Sequence, residues 1–146
     1  MKIYTIGYTQ KSAEEFFSLL ESHGIEQILD VRLKNTSQLA GFSKKQDLEY
    51  FLRRLLGIEY EHLEFLAPTP EIRKAYEESA KDWEVYVEEF LKLLEERKVL
   101  ESLERDLFSQ KKCCLLCSEP APDLCHRRLV AEYLQESWTD VEIVHL

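Results

Sequence analysis

The chain has 146 residues and a mass of 17.3 kDa, which suits one domain and is short for two. Hydrophobic residues make up 45% and charged residues 32%, with four glycines and four prolines, so collagen-like, low-complexity and disordered classes are excluded. Against 28 acidic residues stand 19 basic ones, and the net charge of −9 argues against a protein that coats nucleic acid by bulk charge.

The amino end is broken by Thr5 and Gly7 and lacks the apolar run of a secretion signal, and no window reaches the roughly 20 apolar residues of a membrane span. A soluble, cytoplasmic protein with no membrane partner is expected. Cys113, Cys114, Cys117 and Cys125 fall within 13 consecutive residues. Without a secretion signal, such a cluster points to reduced thiols, a metal site or redox chemistry rather than a disulfide framework.

Residues 2–8 alternate and are rich in β-formers, predicting a strand that ends near Gly7. Ser12 and Glu15 form a capping box ahead of Phe16, Phe17, Leu19 and Leu20, so a helix follows, and Gly24 stops it. Residues 25–32 read as a second strand, parallel to the first because a helix joins them. Residues 34–43 carry neither period and form a long loop, of the kind that tends to be functional. A helix from Lys45 or Gln46 then runs through Leu48, Phe51, Leu52, Leu55 and Leu56 to Gly57. Residues 58–63 predict a third strand, after which Pro68 and Pro70 begin a connector.

Residues 71–109 are helical by composition and period. Trp83, Tyr86, Val87, Phe90 and Leu94 make one apolar face, and Leu100, Leu103 and Leu107 a shorter second one. Glu88, Glu89, Glu95 and Glu96 read as a solvated face. The apolar run 113–117 suits a buried strand, Asp123 is expected as the N-cap of a helix reaching about Gln135, and residues 140–146 read as a last strand. The sum predicts a single three-layer α/β domain over residues 1–146, with a mostly parallel sheet of about five strands flanked by helices.

Ligands of open α/β sheets bind beyond the carboxyl ends of the strands. The predicted ends carry Gly7-Tyr8-Thr9, Asp30-Val31-Arg32, His62 and Cys117-Ser118-Glu119. With Asp123 as cap, Cys125 falls at N2 and His126 at N3 of the next helix, where unpaired N–H groups favour anions and lower a thiol's pKa. A cation such as Arg127 in that turn calls for an anion nearby. Cys117 is expected to face this helix, where a nucleophilic or redox thiol would fit, alone or paired with Cys125. The plainer alternatives are a packed Cys125 and a capping His126, while Cys113 and Cys114 belong in the core.

The four cysteines and His126 contain enough ligands for zinc. Cysteines four apart on a strand, however, lie about 13 Å apart, and no turn residue interrupts 114–117. Zinc is therefore the lesser reading, and no cofactor is predicted. Lys34, Ser37, Ser43, Lys44 and Lys45, with Arg53 and Arg54, make a local basic area able to receive a phosphate, a nucleotide or nucleic acid. Ordinary solvation is the preferred account of Lys34, Arg53 and Arg54, whereas Arg32 at a strand end needs a partner or ligand. His62 also reads as a structural histidine.

Thr5-Ile6-Gly7-Tyr8-Thr9, Leu29-Asp30-Val31-Arg32, Gly57-Ile58-Glu59-Tyr60 with His62-Leu63, and Cys114-Leu115-Leu116-Cys117-Ser118-Glu119 with Cys125-His126-Arg127 stand in order along nearly the whole chain. Together they resemble the motifs of the bacterial and archaeal family named domain of unknown function 488. Members typically have Gly-Tyr-Ser where this chain keeps the hydroxyl with Thr9, and a Pro soon after Asp-Val-Arg, which residues 33–37 lack. The resemblance implies one α/β domain and no particular reaction.

The residues favour an enzyme for a small anionic, phosphate- or nucleotide-like substrate. Cys117 is the nucleophile or redox thiol beside Cys125, His126 or Glu119 the acid/base, and Arg32 and Arg127 the anion clamps; Tyr8, Thr9, Asp30, Ser43 and His62 complete the substrate site. No Cys-x5-Arg loop is present, since residue 123 is Asp, and no dinucleotide or P-loop fingerprint occurs. The alternatives are a nucleic-acid-binding or processing accessory protein, which the net charge disfavours, and a metal-binding or structural thiol cluster without catalysis. If Arg32 and Arg127 are clamps, their loss leaves stability nearly unchanged; a large loss of stability would mark structural ion pairs.

Overall fold

The alternation at the amino end becomes β1 (Lys2–Gly7) in the computed structural model, which describes residues 1–36 and 41–146; Ser37, placed in the basic loop above, lies outside them. Ser12 caps α1 (Ala13–Ser22) by accepting from the Glu15 amide at 3.1 Å, and Gly24, at φ 64°, ends it. β2 (Gln27–Asp30) is shorter than the stretch 25–32 because the Ile25 amide still bonds Leu20 O of the helix end and the Arg32 amide turns to the Asp30 carboxylate. α2 (Lys45–Phe51) continues as a π-helical turn, Leu52–Leu56, closed by Gly57 at φ 65°.

After β3 (Glu59–His62), Pro70 opens a helix rather than a connector. It is the first residue of α3 (Pro70–Glu78), where a missing N–H costs nothing, and the Thr69 hydroxyl caps the turn by accepting from Ile72 N at 3.2 Å. The helical stretch 71–109 is divided into α3, α4 (Trp83–Glu96), α5 (Val99–Ser102) and α6 (Arg105–Gln110). Positive φ at Ala80, Lys81 and Lys98 makes two of the breaks, and Asp82 caps α4 through the Val85 amide. β4 (Cys113–Cys117), α7 (His126–Ser137) and β5 (Glu142–His145) complete the chain.

The sheet order is β3-β2-β4-β1-β5, and every pair is parallel. Phe16 and Leu20 of α1 and Leu48 of α2 pack with Tyr4, Ile6, Cys114 and Leu116 on one face of the sheet. Phe90 of α4 and Leu129 of α7 pack with Ile3, Leu29, Leu115 and Cys117 on the other. The protein is thus a three-layer α/β fold. Because β2 and β4 are neighbours whose connections leave for opposite faces, a crevice opens between their carboxyl ends.

Two sequence expectations shift. In the second apolar stripe Leu103 is buried as expected, but Leu100 is 38% exposed and Leu107 half-buried, and Val99 and Phe108 are buried in their place. Asp123 stands exposed in the turn before α7, and Cys125 occupies the N-cap position, so His126 is N1 and Arg127 N2. A turn closed by the Cys125 amide on Pro122 O delays the helix, and burial of Cys125, His126 and Arg127 outweighs a surface cap worth about 1 kcal/mol. Among the described residues no helix is long and apolar enough to cross a membrane.

Candidate active site

The turn after β4 lies against the end of β1. Tyr8 N donates to Cys117 O at 3.3 Å, and Thr9 donates to Ser118 O with both its amide, at 3.1 Å, and its hydroxyl. A Cβ at Gly7 would overlap the Glu119 carbonyl oxygen, so only glycine lets the turn approach this closely. Arg127, fully buried, reaches back from α7: Nη1 donates to Glu119 O at 2.6 Å and Nε to the Thr5 hydroxyl at 3.4 Å. These tethers hold Cys117 beside the amino end of α7.

There Cys117 Sγ, Cys125 Sγ and a His126 ring nitrogen all lie within 4.8 Å of one another. His126 Nε2 sits 2.6 Å from Val31 O, a pure acceptor, so Nε2 carries the hydrogen. Cys117 Sγ lies near both ring nitrogens, 3.6 Å from Nδ1 and 3.7 Å from Nε2, and with Nε2 committed to Val31 O the unprotonated Nδ1 is the one left to accept from the thiol. The edge of Phe90 fixes the ring plane, with centroids 5.7 Å apart. A hydrogen bond from the Cys125 thiol, aided by the Ser118 amide and the charge of Arg127, draws the Cys117 thiol below its ordinary value despite burial. That hydrogen bond, with burial, pushes Cys125 up, and burial pushes the His126 imidazolium down, so the neutral ring is favoured. The two neighbouring thiols are thus pushed in opposite directions, Cys117 toward ionisation and Cys125 away from it.

These three residues line a cavity of about 190 Å³. Arg32, Lys34, Arg73 and Lys81 also line it, against the acids Glu77 and Glu119, so its wall carries a cationic excess in a protein of net charge −9. One side is aromatic: Trp83 and Tyr86 stack at 4.9 Å with an interplanar angle of 14°.

Arg32 is held rigidly. Asp30, fully buried, accepts from its amide at 3.1 Å, Nε at 2.9 Å and Nη2 at 2.8 Å, and also from Tyr60 OH and Asn35 Nδ2. Burial alone would lower the Arg32 guanidinium, but the Asp30 carboxylate holds it above its ordinary value. Its Cζ lies 5.2 Å from the Tyr8 ring centroid, and His62 Nε2 stands 2.8 Å from its carbonyl oxygen.

Of the residues singled out in the sequence, Arg32, Lys34, Cys117, Ser118, Glu119, Cys125 and His126 line the cavity. Tyr8, Thr9, Asp30, His62 and Arg127 stand behind it and fix the wall through the bonds just given. Arg127 does not line the cavity: Nη1 and Nε tether the turn after β4 and Thr5, while its buried Nη2 has no hydrogen-bond partner among the described residues. Ser43 is buried in the short helical turn Gly41–Ser43 and does not line the cavity. Arg73, Lys81, Trp83 and Tyr86 were not singled out as site residues; the apolar period marked Trp83 and Tyr86 only as a packing face. Cys113 and Cys114 are buried in opposite cores, so the possible metal ligands reduce to Cys117, Cys125 and His126.

The family model described as "Domain of unknown function DUF488" matches residues 12–134. The chain belongs to the DUF488 family. Neither the curated proteins nor the solved structures contain a match. The matched part of this DUF488 chain includes every residue of the cavity wall, while Tyr8 and Thr9 precede it.

Proposed function

We propose that this DUF488 protein is an enzyme that attacks a small anionic substrate with the Cys117 sulfur. The observation that carries the reading is the placement of Cys117, Cys125 and His126 together in the wall of a cation-rich cavity. His126 Nδ1 accepts the Cys117 proton, and the Cys125 thiol and Ser118 amide steady the thiolate. The sulfur forms the bond to the electrophilic centre as the bond to the leaving group breaks, the leaving group takes up the proton from His126, and water then displaces the sulfur and restores the thiol. Lys34, Arg73 and Lys81 draw the anion in past Arg32, whose charge Asp30 balances, and the Trp83–Tyr86 wall receives its planar or apolar part. A volume of 190 Å³ lies below the roughly 300–1,000 Å³ of drug-sized sites and favours a phosphate-sized group over a whole nucleotide.

The test compares two thiol reagents of similar size, anionic iodoacetate and neutral iodoacetamide, at Cys117 in the chelator-treated protein. The expected iodoacetate-to-iodoacetamide rate ratio exceeds that of free cysteine at low salt, and it falls with added salt and in Arg73→Ala and Lys81→Ala. A ratio equal to that of free cysteine, unmoved by salt, would remove the anionic-substrate reading.

A further inference from the structure

We propose that Cys117 Sγ, Cys125 Sγ and His126 Nδ1 form a three-ligand site for a thiophilic divalent cation of the zinc type, and that its occupancy masks the nucleophile. The binding half stands on geometry alone; the masking half rests on the reading of Cys117 given above.

Tetrahedral zinc with bonds of about 2.3 Å to sulfur and 2.0–2.1 Å to nitrogen sets its sulfur and nitrogen ligands about 3.5 Å apart. Cys117 Sγ stands 3.6 Å from His126 Nδ1 and 3.7 Å from Nε2, and the whole set closes within 4.8 Å, so the ligand atoms are near enough and a turn of the His126 ring that points Nδ1 at the two sulfurs completes the site. The remaining ring nitrogen of His126 bonds Val31 O at 2.6 Å, the outer contact that fixes tautomer and ring direction in metal-bound histidines. Two thiolates and a neutral imidazole suit zinc or cobalt(II) and disfavour the hard cations magnesium and calcium. Among the described residues no carboxylate or further cysteine joins the set. The fourth position therefore opens to the cavity that all three residues line, where water or a small anion completes it. Binding forms two sulfur–metal bonds and one nitrogen–metal bond, sends the thiol protons to solvent and oxidises nothing. With its lone pair engaged and His126 Nδ1 occupied, Cys117 can neither attack nor pass on a proton.

The experiment adds cobalt(II) to the chelator-treated full chain and follows its absorption, then displaces cobalt with zinc while Cys117 alkylation by iodoacetamide is timed. One equivalent of cobalt should give thiolate-to-metal charge-transfer bands and the d–d bands of a tetrahedral ion, and zinc should abolish them. One equivalent of zinc should slow Cys117 alkylation at least tenfold, and chelator should restore it. Cys125→Ser and His126→Gln, each shown folded by circular dichroism, should weaken zinc binding at least tenfold, whereas Cys113→Ser and Cys114→Ser should not. Cobalt spectra without thiolate bands, or bands that survive both ligand variants, would overturn the site. Thiolate bands with zinc-insensitive alkylation would overturn the masking. Slow Cys117 alkylation in the metal-free protein, with the cobalt bands present, would refute the nucleophile and leave the metal site standing.

Discussion

Cys117 Sγ lies 3.6 Å from His126 Nδ1, the ring nitrogen left unprotonated because Nε2 is committed to Val31 O at 2.6 Å. Three segments distant in sequence meet in this contact: the end of β4, the start of α7 and the residue after β2. The strand order makes the meeting unavoidable, since β2 and β4 are neighbours whose exits part at the same edge of the sheet.

Arg32→Ala should destabilise the protein by about 3–5 kcal/mol, because it strands the Asp30 carboxylate with no charge partner in a fully buried position. The denaturant midpoint measures this, and Asp30→Asn in the same chain should recover part of the loss. This reverses the expectation for a mobile anion clamp, whose removal would leave the midpoint in place.

Gly7→Ala should displace the turn carrying Glu119, cost about 1–3 kcal/mol as overpacking and slow alkylation of Cys117. Thermal unfolding and mass-resolved labelling give the two readouts. An unchanged rate would mean that the turn after β4 does not position the thiol.

Much of this fold is legible in the residues, and the exceptions have physical causes. The Ser12–Glu15 capping box and the apolar run Cys113–Cys117 specify α1 and β4 because short-range chemistry suffices there. The strand order is hidden, because hydrophobic period says which face is buried and nothing about which strand lies beside it. The breaks at Ala80–Lys81 and Lys98 occur at non-glycine residues with positive φ, for which the sequence has no marker. Cys117, Cys125 and His126 are legible by residue type, but Arg73, Lys81 and Trp83 are not. Arg73 and Trp83 match ordinary helix surface and core, Lys81 lies in the unmarked break between α3 and α4, and only the crossing of these helices over the crevice puts them in its wall.

Stability should fall in alkali. Burial pushes the Cys113 thiol up to about 12 and raises Cys114, while burial followed by the Asp30 charge raises Tyr60. A raised group contributes stability that is complete below its unfolded value, about 8.5 for a thiol and 10 for a phenol, and is lost as pH climbs toward its folded value. The urea midpoint should therefore decline from about pH 9 upward. A midpoint that holds or rises through pH 11 would contradict the burial of these groups.

The central claim, that one of four buried cysteines is activated, is tested most directly by site-resolved alkylation across pH in the metal-free protein. Cys117 should label first, with a midpoint below the ordinary thiol value of about 8.5, and Cys125→Ala should move that midpoint upward. Cys113 and Cys114 should label only as the protein unfolds. Labelling of Cys117 at the same pace as Cys113, with a midpoint that Cys125→Ala leaves in place, would contradict the account.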